Sequence, residues 1–234
     1  MTAIGKLAGK KSIGTRRENR TRSFGYGRFG WLFNALAVAL LVAGPLRAGA
    51  PAKIVILGDS LTAGYGLPLD EAFPNRLQAA LAAKGVAAEV VNAGVSGDTT
   101  AGGLARVDRV LQENPNAVIV ELGANDGLRG LEPEQSYAHL DAILDQLDAK
   151  KIPVLIAGMK APPNLGREYG HEFESIYARL AERHHAALYP FFLDGVAADA
   201  ALTQADGLHP NASGVRVIVD RILPYVMRLV DGSG

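Results

Sequence analysis

Cysteine is absent from the 234 residues. No disulfide, no thiolate nucleophile and no lipid-bearing cysteine can be built from this chain. Net charge is absent as well, with 24 Lys+Arg against 24 Asp+Glu, but the balance is uneven. The first fifty residues hold nine of the basic groups and one of the acidic, which leaves 15 basic against 23 acidic beyond Ala50. A body that is net acidic by eight charges offers no basic surface to nucleic acid, so no nucleic-acid partner is expected. No apolar run reaches the roughly 20 residues of a spanning helix. No internal repeat or low-complexity linker follows Ala50. The glycines of Gly58–Gly64 are not followed by Gly-Lys-Ser/Thr, which argues against a phosphate loop. None of the five histidines has metal-ligand spacing with a carboxylate cluster, so neither a metal nor another cofactor is expected.

The N-terminal fifty residues read as a targeting segment. A basic, Gly/Arg-rich stretch ends at Arg28, the apolar run Trp31–Gly44 follows, and Ala48-Gly49-Ala50 supplies small residues. Basic, apolar, then small is the order of a secretory signal. Pro51 directly after Ala48-x-Ala50 opposes cleavage there, so a cut elsewhere and a retained segment both stay open. The division expected is a targeting segment over 1–50 and one domain over 51–234, placed in the periplasm or outside the cell.

Beyond Ala50, strand and helix patterns alternate. Lys53–Leu57, Ala88–Val91, Ala117–Leu122, Pro153–Ala157 and Ala187–Phe192 read as strands. Glu71–Lys84, Thr99–Glu113, Pro133–Ala149, Phe173–His184 and Asn211–Leu229 read as helices. Five strands separated by helices imply a parallel sheet covered on both faces, with its site at the strand C-terminal ends. His139, on a helix beside acidic residues, is expected to be solvated, and His171 to lie in a loop.

The candidate chemistry falls at those ends. Ser60 follows the first strand within Gly58-Asp59-Ser60-Leu61, and Asp206-Gly207-Leu208-His209-Pro210 follows the fifth. A serine hydroxyl is a weak nucleophile until a base takes its proton, and the base needs a carboxylate to orient it. Ser60, His209 and Asp206 supply the three parts. The three-residue spacing lets one turn carry both Asp206 and His209. Pro210 biases His209 toward extended backbone. Asn92–Asp98 and Gly123-Ala124-Asn125-Asp126 bring two further loops to the same edge. Either Gly94 or Gly97 could let backbone approach a ligand closely.

Gly58-Asp59-Ser60-Leu61, Gly97, Gly123-Ala124-Asn125-Asp126 and Asp206-x-x-His209-Pro210 resemble the four blocks of the SGNH (GDSL) hydrolases. Ser96-Gly97-Asp98-Thr99 and Glu121–Gly130 are similar to the periplasmic arylesterase, acyl-CoA thioesterase I and lysophospholipase subgroup. The likeness runs over nearly all of residues 53–230. It implies an α/β fold, a three-layer α/β/α sandwich with a five-stranded, flavodoxin-like parallel sheet. It assigns Ser60 as nucleophile, His209 as base and Asp206 as its orienting acid. It assigns the oxyanion donors to the backbone N–H groups of Ser60 and Gly97, in preference to Gly94, and to the side-chain amide of Asn125. Apolar Leu128–Leu131 and Ala161–Leu165 suggest an acyl cleft, with Leu128, Ala161 and Pro162 as substrate contacts. The expected substrate is a small acyl ester or thioester, lipids included, and the expected state is a monomer. A carbohydrate O-acetylesterase is the alternative enzyme. A non-catalytic binding protein on the same fold is the alternative outside catalysis.

Overall fold

A computed structural model describes residues 51–232. The expected targeting segment, residues 1–50, lies outside them. Five parallel strands form one sheet: β1 Ala52–Gly58, β2 Ala88–Gly94, β3 Ala117–Glu121, β4 Val154–Ala157 and β5 Ala187–Tyr189. Their order is β2-β1-β3-β4-β5, the doubly wound order of flavodoxin-like folds. Pairing of Ile56 with Asn92 and Ile119 sets the register at the centre, and Gly58 pairs with Gly94 and Glu121 at the upper end.

Helices cover both faces. The numbering is α1 Ser60–Ala63, α2 Phe73–Ala83, α3 Thr100–Leu104, α4 Val107–Gln112, α5 Ala124–Leu128, α6 Pro133–Ala149, α7 Arg167–His184 and α8 Ala212–Asp231. On one face α2 packs against α8, while on the other α6 packs against α3, α4 and α7. Strands buried on both sides need no polar alternation. Accordingly Ile54–Leu57 and Val118–Val120 are all but inaccessible, whereas no residue of β2, at the edge, is fully buried. Phe73 of α2 meets Phe192 edge to face at 5.0 Å, both fully buried. Truncating such a ring costs about 3–5 kcal/mol. Among the described residues no helix is long and apolar enough to cross a membrane.

The three-layer sandwich agrees with the sequence, and four local expectations are corrected. The single helix expected over Thr99–Glu113 is broken: α3 stops at Leu104 and α4 starts at Val107. Gly102-Gly103 weakens the first piece, and Arg106 leaves the helical path with φ −129° so that its side chain can turn inward. The fifth strand ends at Tyr189 because Pro190 has no N–H for the ladder. The helix expected from Phe173 begins at Arg167, behind Gly166 at φ +91°, so His171 is helical rather than in a loop. His139 is half-buried, with Nδ1 3.1 Å from the Thr100 hydroxyl oxygen.

Candidate active site

Four strand ends deliver the site. β1 stops at Gly58, and Asp59 caps the short α1 by accepting the Leu61 N–H at 2.9 Å. Gly64, at φ +80°, terminates that helix after four residues. Ser60 is therefore the first residue of a capped turn set directly on the sheet. From beyond β5, the loop 203–210 brings His209 to it. His209 Nε2 lies 2.9 Å from Ser60 Oγ, and Nδ1 lies 2.7 Å from Asp206 Oδ2. The second Asp206 oxygen accepts the N–H groups of Leu208 at 2.9 Å and His209 at 3.0 Å. The bond from the Leu208 N–H, the bond to the His209 ring and the His209 N–H together pull the Asp206 carboxyl down to about 2. An ionised Asp206 assigns the ring proton to Nδ1 and leaves Nε2 as an acceptor for the serine hydroxyl. The Tyr65 ring covers the imidazole, with centroids 4.6 Å apart. Gln204 straps the two sides together: its Nε2 donates to Tyr65 O at 2.8 Å and to Pro210 O at 3.0 Å.

The remaining candidates sit on the neighbouring loops. Gly97 is exposed after β2 at φ +85°, with open space around its Cα. Neither its N–H nor that of Ser60 has a protein acceptor among the described residues. Gly94, the competing glycine, is different: a Cβ there would press on the backbone of α1. Asn125 is the second residue of α5, half-buried, and its Nδ2 donates to Asp59 Oδ2 at 3.1 Å and to Asp98 O at 2.9 Å. Two acceptors on one side fix which way the amide faces. Its neighbour Asp126 is buried and takes bonds from the Thr100 N–H, the Thr100 hydroxyl and the Ser136 hydroxyl, which pins α5 to α3 and α6.

A cleft of about 560 Å³ opens at Ser60, Asn125 and His209, lined by Leu61, Leu128, Ala161, Pro162, Phe191 and Leu208. All three residues expected to contact substrate line it. Among the described residues, every exposed large apolar side chain, from Tyr65 to Leu208, lies in a loop or short helix following a strand's C-terminal end. A second concavity of about 520 Å³, beside Asp108, Asn114 and Lys150, lies at the N-terminal ends of β3 and β4, away from these groups. Among the described residues no group of three or more His, Asp and Glu side chains is placed to hold a metal ion.

The GDSL-like lipase/acylhydrolase family model matches residues 56–217. The chain belongs to this family. Members of comparable size align along almost their whole length. Esterase TesA of Pseudomonas aeruginosa is 38% identical over 200 residues, which is 85% of this chain and 98% of that protein. Thioesterase 1/protease 1/lysophospholipase L1 of Escherichia coli (strain K12) is 39% identical over 204 residues, 87% of this chain and 95% of that one. The crystal structure of AlinE4, an SGNH-hydrolase family esterase, superimposes with a TM-score of 0.66 at 48% identity, covering 77% of this chain and 97% of the other. This GDSL-family chain is thus a hydrolase.

Several polar groups that frame the site escaped the sequence reading. Asp59 was quoted only as a motif letter, yet it is buried, and burial pushes its carboxyl up to about 6, against the pull of the Leu61 N–H, His209 and the Asn125 amide. Glu121, at the end of β3, is fully buried. One of its oxygens is 2.5 Å from the Thr62 hydroxyl and 3.4 Å from the Asp59 N–H, while the other has no partner. Burial, reinforced by nearby Asp59, raises its pKa well above the usual range. A charged residue inside the apolar run Ala117–Leu122 was the available signal. Arg106 had only the Gly102-Gly103 interruption beside it, and Gln204 had none.

Proposed function

We propose that this hydrolase is an exported esterase and thioesterase that cleaves acyl esters and acyl thioesters, lysophospholipids among them, through an acyl-Ser60 intermediate. The observation that carries the reading is the Ser60–His209–Asp206 chain at the mouth of an apolar cleft. Ser60 Oγ attacks the acyl carbonyl as its proton passes to His209 Nε2, and ionised Asp206 stabilises the imidazolium. The oxyanion is received by the Ser60 and Gly97 N–H groups and by the Asn125 amide. Collapse expels the alcohol or thiol, protonated by His209. Water then attacks the acyl-Ser60 carbonyl, His209 again takes the proton, and the carboxylic acid leaves with Ser60 restored. The acyl chain lies along Leu128, Ala161 and Pro162, where each methylene discriminates by only about 1–3 kcal/mol, so tolerance of chain length is expected. All the groups come from one chain, which supports a monomeric enzyme. Names carried by relatives, esterase and thioesterase/lysophospholipase, support the substrate class. The order of charge and hydropathy in residues 1–50 supports export.

A fluorophosphonate probe tests the mechanism. One equivalent should be incorporated at Ser60, with none in Ser60→Ala. Hydrolysis of p-nitrophenyl acetate, butyrate and octanoate beside an acyl-CoA tests the substrate class. Cleavage of acetylated sugars alone would replace it with carbohydrate O-acetyl hydrolysis. An intact N-terminus in cytosolic protein would refute export.

A further inference from the structure

We propose that Arg106 is a positioning residue that holds the oxyanion donors in register, an assignment that rests on the serine-hydrolase reading above. The break between α3 and α4 turns its guanidinium inward, leaving the side chain 14% exposed. There its fork fills three acceptors. Nε donates to Asp98 Oδ2 at 2.6 Å, Nη1 to Ala93 O at 2.6 Å and Nη2 to Gly58 O at 2.7 Å. Each acceptor leads to a donor. Gly58 ends β1 two residues before Ser60. Asp98 follows Gly97, and its carbonyl accepts the Asn125 amide at 2.9 Å. Ala93 is the penultimate residue of β2, just before the Gly97 loop. One rigid group thus ties the end of β1, which leads to the Ser60 N–H, to β2 and the loop that presents the Gly97 N–H, and it reaches the Asn125 amide through the Asp98 carbonyl.

The geometry calls for arginine. Its planar donors point along fixed, diverging directions, whereas a lysine ammonium is a single point on a flexible stem and cannot span three acceptors on three segments. Arg106 does not line the cleft. Losing it should leave substrate binding intact and slacken the donors that meet charge developing in the transition state. Displacements of about 1 Å in such groups cost on the order of 100-fold in rate.

The test compares Arg106→Lys and Arg106→Ala with the parent enzyme on p-nitrophenyl butyrate. Affinity for a butyl trifluoromethyl ketone, which forms a tetrahedral oxyanion on the serine, is measured alongside. We expect kcat to fall by about 10- to 100-fold, KM to stay within about twofold, and ketone affinity to weaken in step with kcat. Added ethylguanidinium should restore part of the Arg106→Ala loss. A folded Arg106→Lys enzyme with parental kcat, a loss confined to KM, or unchanged ketone affinity would overturn the proposal. Should the Arg106 variants not fold, Asp98→Ala cuts the link to Gly97 and leaves the two carbonyl bonds. It should show the same kcat-only loss, and parental kcat there would equally overturn the proposal. Fluorophosphonate labelling of the parent separates the two levels: an unlabelled Ser60 removes the serine mechanism and this proposal with it, whereas a labelled Ser60 with unimpaired Arg106 variants removes this proposal alone.

Discussion

Adding one methyl group at Gly94 should damage turnover more than its small volume suggests. A Cβ at this position would lie 2.9 Å from Ala63 Cα and 2.9 Å from Asp59 O, and nearer still to Ala63 N. All three are backbone atoms of α1 or its cap, so no side chain can swing aside. The Asp59 carbonyl and the Ala63 N–H are themselves hydrogen-bonded at 2.9 Å, which makes the methyl press on the bond that closes the helical turn. Bringing the two 2.9 Å contacts to an ordinary 3.4 Å already takes 0.5 Å of separation between β2 and α1. Ser60 rides on one of those elements and the Gly97 loop leaves the other. Overpacking of this kind costs about 1–3 kcal/mol of stability, and about half of a 1 Å misplacement should cost on the order of tenfold in kcat. Gly85→Ala, away from the site, is the control: nothing lies within 4 Å, and only its φ of +75° is strained, at about 1–2 kcal/mol. Urea unfolding and kcat on p-nitrophenyl butyrate, measured well below either melting temperature, decide the matter. Parental kcat and parental stability in Gly94→Ala would refute the packing argument.

Three further outcomes are expected. Asn125→Ala should lower kcat by about 10² and change KM little. The low end of the usual range is chosen because both amide hydrogens already serve Asp59 and Asp98 in the free enzyme; a pure KM effect in steady-state kinetics would count against an oxyanion role. Glu121→Gln should gain stability over the parent as pH rises. A carboxyl whose folded pKa is raised favours the native state below the unfolded value of 4.5 and loses that contribution as pH climbs toward the folded value, at about 1.4 kcal/mol per pH unit. Urea midpoints from pH 4.5 upward should therefore diverge, and a constant gap would contradict the neutral buried acid. His184→Asn should show the same sign of pH dependence from the other side, starting below the parent in acid and closing the gap as pH rises. Burial alone would lower its pKa, but Asp148 at 2.7 Å and Asp141 at 2.8 Å outweigh it and leave the pKa raised. That stabilisation is present below about pH 6.5 and fades as pH rises through the raised value, so melting temperatures should separate most in mild acid. Equal separation at pH 5.5 and 9 would rule out the charged clamp.

The sheet was legible in the sequence because its central strands are apolar runs closed by glycine, unbroken in Ile54–Gly58 and broken only by Glu121 in Ala117–Gly123. Such runs are the mark of strands covered on both faces. Ser60, Asn125, Asp206 and His209 were legible as motif letters in order. What could not be read were the groups whose partners are backbone carbonyls or distant loops. The apolar spacing of Leu104, Val107 and Leu111 fits one helix, and hydrophobic periodicity carries no sign that the chain bends to aim a guanidinium at Gly58 and Ala93. Glu121 was absorbed into its strand, since the pattern registers apolar content and not the hydroxyl that makes a buried carboxyl tolerable. Gln204 bonds across 139 residues to Tyr65, a relation only the closed fold creates.

The placement of Asp206 and His209 within one short loop has a mechanical consequence. A relay of three groups ordinarily requires two distances to be held at once across separate parts of a molecule. Here the second is settled locally, by a three-residue span whose carboxylate is also tethered to two of the loop's own amides. The only long-range tolerance left is the 2.9 Å gap between His209 and Ser60, and Gln204 bridges that gap from the side. The proposed relay therefore has one slack coordinate. A shift of the loop as a whole would change the distance to Ser60 and leave Asp206 and His209 aligned with each other.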